Sequence, residues 1–217
     1  MSQQFFEAIR AGDRAKVDEL LRVDASLLAA KDEKGLGAYT AAKYSGRNDV
    51  AAMLLEKGVD LDVFAACMAG AQERALELIR ENPELVKAYS NDGWTPLHLA
   101  CFFGQPGVVD ALIEKGADVR ARSTNPMQNT PLHAAAAGRS KEAVRVLLEH
   151  GADVNARQEG GWTALHAASQ NGDVEMVRLL IAGGADVQIR AENQQNAMDL
   201  ALTKGHQAVV EVLEAYA

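Results

Sequence analysis

The chain has 217 residues, with 22 Lys and Arg against 30 Asp and Glu and a formal net charge of −8 at pH 7. At 48% hydrophobic and 24% charged residues it can bury a core and is not disordered by composition. The acidic balance speaks against a general phosphate-backbone binder, which needs clustered Lys and Arg. Two cysteines, Cys67 and Cys101, cannot build a disulfide scaffold, and no CxxC pair is present, so both read as small buried residues of a reduced compartment. No run approaches the 18 or so apolar residues of a membrane span. The start, Met1-Ser2-Gln3-Gln4-Phe5-Phe6-Glu7, lacks the basic, then apolar pattern of a secretory signal, so a cytoplasmic location is expected.

Along the chain one glycine recurs, at Gly12, Gly46, Gly70, Gly104, Gly172 and Gly205, with Arg139 taking the slot once; the spacings are 34, 24, 34, 35, 33 and 33. Eight and nine residues after each anchor stands an apolar pair, from Leu20-Leu21 to Leu180-Ile181, ending with Leu213 beside Glu214. Self-similarity at such a period is the mark of a repeat array. It predicts one domain over 1–217 in seven units: 3–35, 36–62, 63–92, 93–128, 129–160, 161–193 and 194–217, the first and last as caps.

The first unit ends in Leu20-Leu21-Arg22-Val23-Asp24-Ala25-Ser26-Leu27-Leu28-Ala29-Ala30, which the third repeats from Leu78 to Ala88 at a constant offset of 58. The second unit passes through Gly58-Val59-Asp60-Leu61-Asp62 almost directly into a predicted helix, Val63 to Ala69, because the spacing of 24 leaves no room for a connecting finger. A notch is expected near residues 59–64. The fourth, fifth and sixth units share one phrase: Gly93-Trp94-Thr95-Pro96-Leu97-His98, Asn129-Thr130-Pro131-Leu132-His133 and Gly161-Trp162-Thr163-Ala164-Leu165-His166. Thr before Pro or Ala predicts a capped helix start. An Ala-rich first helix such as Pro131 to Ala137 precedes a second with an apolar stripe, as in Ala143, Val144, Val146, Leu147 and Leu148. Gly116, Gly151 and Gly184 are placed to end the second helices at positive φ. The loop Ser123 to Gln128 exceeds the period by two residues, so its finger is expected to bulge or reach further.

Helices of 8 to 10 residues are too short to persist alone, and must bury their faces against neighbouring units. The phrase Gly-x-Thr-Pro-Leu-His, then a Gly, an apolar pair and Gly-Ala-Asp-Val-Asn-Ala, at a period near 33, resembles the ankyrin repeat. The resemblance is closest over 93–190, weaker over 36–62 and 191–216, and degenerate over 3–35 and 63–92. It implies an all-α fold: an ankyrin-repeat solenoid of stacked helix-turn-helix units with β-hairpin fingers. It also implies that His98, His133 and His166 hydrogen-bond the loop backbone between units. Stacking spaces these histidines one unit apart, so a converging metal or catalytic site is not expected. His150 and His206 are expected in solvent.

No nucleophile motif, phosphate loop or acid–base pair is recognisable, so neither enzymatic activity nor a cofactor or metal is expected. The resemblance further implies that the finger residue before Thr and the last two residues of the first helix face a concave groove. Those slots, together with Met127 on the long finger, gather Tyr44, Met68, Trp94, Phe102, Phe103, Met127 and Trp162. An apolar and aromatic patch of this kind marks a binding site. The alternative is that Trp94 or Phe103 packs between units. The expected role is binding another protein, with neither nucleic acid nor membrane as partner. The chain would act as a monomer unless the patch drives self-association. Two other readings stay open: an accessory or inhibitory subunit of an enzyme encoded nearby, and a scaffold with no dedicated partner.

Overall fold

The computed structural model describes residues 1–216; Ala217, the last residue of the seventh predicted unit, lies outside them. Among the described residues fourteen α-helices follow one another as seven pairs. They are α1 (Ser2–Ala11) with α2 (Arg14–Val23), α3 (Ala38–Tyr44) with α4 (Asn48–Glu56), α5 (Val63–Ala69) with α6 (Gln72–Glu81), and α7 (Pro96–Phe102) with α8 (Pro106–Glu114). Then come α9 (Pro131–Ala137) with α10 (Lys141–Glu149), α11 (Ala164–Gln170) with α12 (Val174–Ala182), and α13 (Ala197–Lys204) with α14 (Gln207–Glu214). Odd-numbered helices form an inner layer and even-numbered helices an outer one, each packed on its sequence neighbours. Contact between α4 and α6 is marginal, and α3 meets α5 less extensively than any other adjacent inner pair. The stack is therefore loosest where the repeat spacing is short.

Most inner helices have only seven residues, and burial holds them. Leu54, Leu97, Leu112, Leu132, Leu147, Leu165 and Leu180 are all essentially inaccessible, and the core runs without a break along the stack. Cys67 and Cys101 are free and buried, and burial pushes the Cys67 thiol up to about 12.

Thr95, Thr130 and Thr163 cap α7, α9 and α11, each paired reciprocally with the histidine three residues on. The Thr main-chain N–H donates to histidine Nδ1 at 3.2–3.4 Å. Nδ1 is therefore the acceptor and Nε2 carries the proton. His98 Nε2 then donates to the Asn129 carbonyl at 2.8 Å, His133 to Trp162 at 3.1 Å and His166 to Gln195 at 3.2 Å. Burial drives His98 and His133 down to about 4, and lowers His166 too, so the rings are neutral near pH 7. His206, expected in solvent, donates to the Gln170 carbonyl at 3.0 Å.

The fingers correct one expectation. No named strand occurs among the described residues, and the sole β-bridge there joins Lys31 to Gly37. Each finger is a tight turn with one main-chain bond between its legs, such as Ser90 N–H to Trp94 O at 2.9 Å or Gln158 N–H to Trp162 O at 2.8 Å, and a second inside the turn, such as Gly93 N–H to Ser90 O at 2.9 Å. Legs this short cannot build a ladder.

The fingers pair with one another instead. Thr124 N–H donates to Gly93 O at 2.9 Å, Glu159 to Met127 O at 3.0 Å and Glu192 to Gly160 O at 2.9 Å. A side-chain chain runs parallel: Tyr89 Oη to Arg122 O at 3.0 Å, Arg122 Nη1 to Arg157 O at 2.8 Å, and Arg157 Nη2 to Arg190 O at 2.5 Å. The long loop Ser123 to Gln128 leans back on its predecessor, with Asn125 Nδ2 on Asp92 O at 3.2 Å.

As the spacing requires, no finger separates the second unit from the third. Asp62 caps α5 directly, accepting from Ala65 N–H at 2.8 Å. The first and third fingers meet across the gap, where Asn91 Nδ2 reaches Lys34 O at 3.0 Å.

Candidate protein-interaction groove

Trp94 leaves the third finger one residue before the Thr95 cap, while Phe102 ends α7 and Phe103 follows it. The three rings meet edge to face, Trp94 on Phe102 at 5.9 Å between centroids and Phe102 on Phe103 at 5.2 Å. Tyr44, from the end of α3, stacks on Phe103 at 6.3 Å. Tyr44 and Phe102 keep 41% and 38% of their surface exposed, and Trp94 and Phe103 are half-buried. The aromatics therefore pack on one another and still face solvent. Together with Leu99, Lys43 and Asp92 they line an open cavity of about 320 Å³.

The cavity floor is apolar and its lip carries one charge of each sign. Tyr44 Oη donates to Asp92 Oδ2 at 2.6 Å, and Ser90 Oγ to Asp92 Oδ1 at 2.5 Å. Burial, then the Asp92 bond and charge, raise the Tyr44 hydroxyl far above its ordinary range, so it stays protonated and keeps donating. Lys43 Nζ lies 5.0 Å from the centroid of the Phe103 ring, a cation–π contact, and burial lowers its pKa.

Backbone approach fixes the Phe102-Phe103 pair. A Cβ on Gly138 would overlap the Phe102 carbonyl oxygen, so only glycine lets α9 come this close. The next residue, Arg139, stands in the recurrent glycine slot at φ 58 and donates from Nη2 to Asn171 O at 3.2 Å.

Of the seven residues expected on this surface, the structure brings together Tyr44, Trp94, Phe102 and Phe103. Met127 is 48% exposed but sits on the next finger, and Trp162 packs beside His166 at 5.6 Å between centroids, away from the cavity. Met68 is a correction: it is fully buried. Because no finger precedes the third unit, Tyr44 reaches Phe103 past α5, and Met68, lying between them in the stack, is left no surface. Sequence reasoning missed Lys43, Leu99 and Asp92. Leu99 sits where Ala134 and Ala167 stand in later units, a substitution visible in the repeat alignment.

Among the described residues no three His, Cys, Asp or Glu side chains form a metal-ligand set. No helix there is long and apolar enough to cross a membrane.

A family model for ankyrin repeats, three copies, matches residues 63–158 and 156–216. Protein phosphatase 1 regulatory subunit 27 of Homo sapiens is 38% identical over 114 residues, covering 52% of this chain and 58% of that protein. Neurogenic locus notch homolog protein 2 of Homo sapiens is 37% identical over 115 residues, 48% of this chain and 5% of that protein. Delta-latroinsectotoxin-Lt1a of Latrodectus tredecimguttatus is 34% identical over 86 residues, 35% of this chain and 7% of that protein. The matched region thus spans between 5% and 58% of the length of these relatives. With more than half of its length matched by the family model and with its paired, capped helices stacked in register, the chain belongs to the ankyrin-repeat family, whose repeats generally serve as protein–protein interaction modules.

Proposed function

We propose that this chain is a non-enzymatic, cytoplasmic binding module that holds a partner protein through the cavity between Tyr44, Trp94, Phe102 and Phe103. The carrying observation is that four large rings converge on an open cavity of about 320 Å³ while packing on a frame that fixes their backbone. Large apolar anchors in desolvated pockets dominate interface energetics. A surface already ordered before binding loses little conformational entropy on association. The partner is expected to insert a bulky apolar side chain, with polar neighbours meeting Lys43 and Asp92 at the lip.

The test is affinity capture with the full chain, followed by titration of the captured protein against variants. Phe103→Ala or Trp94→Ala is expected to weaken binding by about 2 kcal/mol, roughly 30-fold in Kd. Unchanged affinity in both variants, with circular dichroism and Tm preserved, would remove this reading.

A second reading rests on the likeness to a phosphatase regulatory subunit: the partner is an enzyme whose activity the chain controls. It uses the same surface. Assay of the captured partner for turnover with and without the chain separates the two.

A further inference from the structure

Hydrogen bonds divide the array into two bodies. In the first, Lys57 Nζ joins α4 to Asp18 Oδ1 on α2 at 2.5 Å, and Arg47 Nε reaches Arg10 O at 2.9 Å. Val59 still belongs to that body, because its N–H donates to Leu54 O at 3.1 Å. The next two residues are held by the other body: Arg74 on α6 donates to Asp60 Oδ1 at 2.9 Å and to Leu61 O at 3.3 Å. The backbone thus passes from one body to the other at the Val59–Asp60 link.

Among the described residues no main-chain hydrogen bond crosses that junction. Thr40 stands in the slot that His98, His133 and His166 fill in later units, and unlike them it bonds no carbonyl across the junction. Two side-chain hydrogen bonds do cross there: Tyr44 Oη to Asp92 Oδ2 at 2.6 Å and Asn91 Nδ2 to Lys34 O at 3.0 Å. Both lie on the finger side, whereas on the outer side α4 and α6 barely touch. Cavities of about 340 and 140 Å³ lie at the same place, each walled from both bodies, one by Tyr39 and Leu78, the other by Thr40 and Met68. A linear stack parts first at its weakest interface, and a short link between two well-bonded bodies is what a hinge requires.

Tyr44 spans the junction. From the end of α3 it passes α5 and meets the second body twice, with its hydroxyl on Asp92 and with its ring on Phe103 at 6.3 Å between centroids. The aromatic cavity is lined from both bodies, by Lys43 and Tyr44 on one side and by Asp92, Trp94, Phe102 and Phe103 on the other. A change of angle at the junction therefore changes the width of that cavity.

We infer that the Val59–Asp60 junction is a hinge latched by Tyr44, about which α1–α4 turn as one body against α5–α14, so that the latch sets the aperture of the aromatic cavity. The hinge is a property of the free chain, so it stands or falls separately from partner binding.

Distances between spin labels on the free, full-length chain test it. Labels on Ala15→Cys and Glu114→Cys report across the junction, from the first unit to the fourth. Labels on Glu114→Cys and Glu211→Cys run from the fourth unit to the seventh without crossing it. These positions are exposed, while the native Cys67 and Cys101 are fully buried and should not take a label. Double electron–electron resonance is expected to give a narrow distribution for both pairs. Tyr44→Ala should widen the first about two-fold and leave the second as it was. Tyr44→Phe, which keeps the ring on Phe103 but loses the bond to Asp92, should widen it in the same direction by less. The hinge is overturned if the first distribution is unchanged in both variants. It is equally overturned if both pairs widen alike, since that is general loosening of the stack.

Discussion

From Trp94 to Gln195 each finger is fastened to the next by three kinds of bond: a main-chain bond between fingers, a buried histidine to the following carbonyl, and a long side chain, Tyr89 at the first junction and an arginine at the next two, to the equivalent carbonyl one unit on. Before Trp94 none of these recurs. There the first and third fingers meet through the Asn91 side chain, Arg47 Nε reaches Arg10 O at 2.9 Å, and Tyr44 bridges to Asp92. The outer helices α4 and α6 barely touch. The contrast teaches that repetition builds a frame and a break in repetition builds features. Both the aromatic cavity and the notch lie where one finger was lost and side chains span the gap.

The largest test of this contrast is acid. His98 and His133 titrate near 4 in the folded protein against about 6.5 when unfolded, so between those values the unfolded chain binds more protons. Their contribution is complete above about pH 6.5 and is lost as pH falls toward 4, on the order of 4 kcal/mol for the two by pH 5. Hydrogen exchange at pH 7.5 and 5 should show the loosening between Trp94 and Gln195, not in the first two units. Uniform loosening would break the comparison. Next in size, Gly138→Ala forces α9 away from Phe102 and should cost about 3 kcal/mol, seen as a drop in Tm. Paired substitutions in one slot then sharpen the contrast. His133→Leu unpairs the Thr130 cap and the Trp162 carbonyl and should cost about 2 kcal/mol, whereas Thr40→Val, with nothing to unpair, should change stability by less than about 0.5 kcal/mol. Smallest, Arg139→Gly relieves a left-handed backbone at the expense of one exposed bond, and should raise stability by up to about 1 kcal/mol in a denaturant melt.

Much of the frame was legible because its chemistry repeats. Thr95, Thr130 and Thr163 with their histidines stand at fixed spacing, and the anchor spacing of 24 exposed the missing finger. The arginine chain was equally periodic, Arg122, Arg157 and Arg190 lying 35 and 33 residues apart, yet spacing alone does not say that a guanidinium reaches the next carbonyl. Met68 was misplaced because slot transfer assumes equal units, and the third has no finger before it. Gly138 looked like an ordinary small residue: a backbone approach leaves no periodic trace. Asp92 and Lys43 join the cavity through contacts across units, which no single repeat encodes. The strand expectation failed on length, since the finger legs offer one bond each and pair sideways instead.

We propose that the partner is gripped at the seam, on the rings around Phe103. Hydrogen exchange of the chain with and without its captured partner tests it directly. New protection is expected over residues 38–48 and 89–105, which carry Tyr44, Trp94 and the Phe102-Phe103 pair. Protection confined to the outer helices α8, α10 and α12, with those two stretches unchanged, would contradict it.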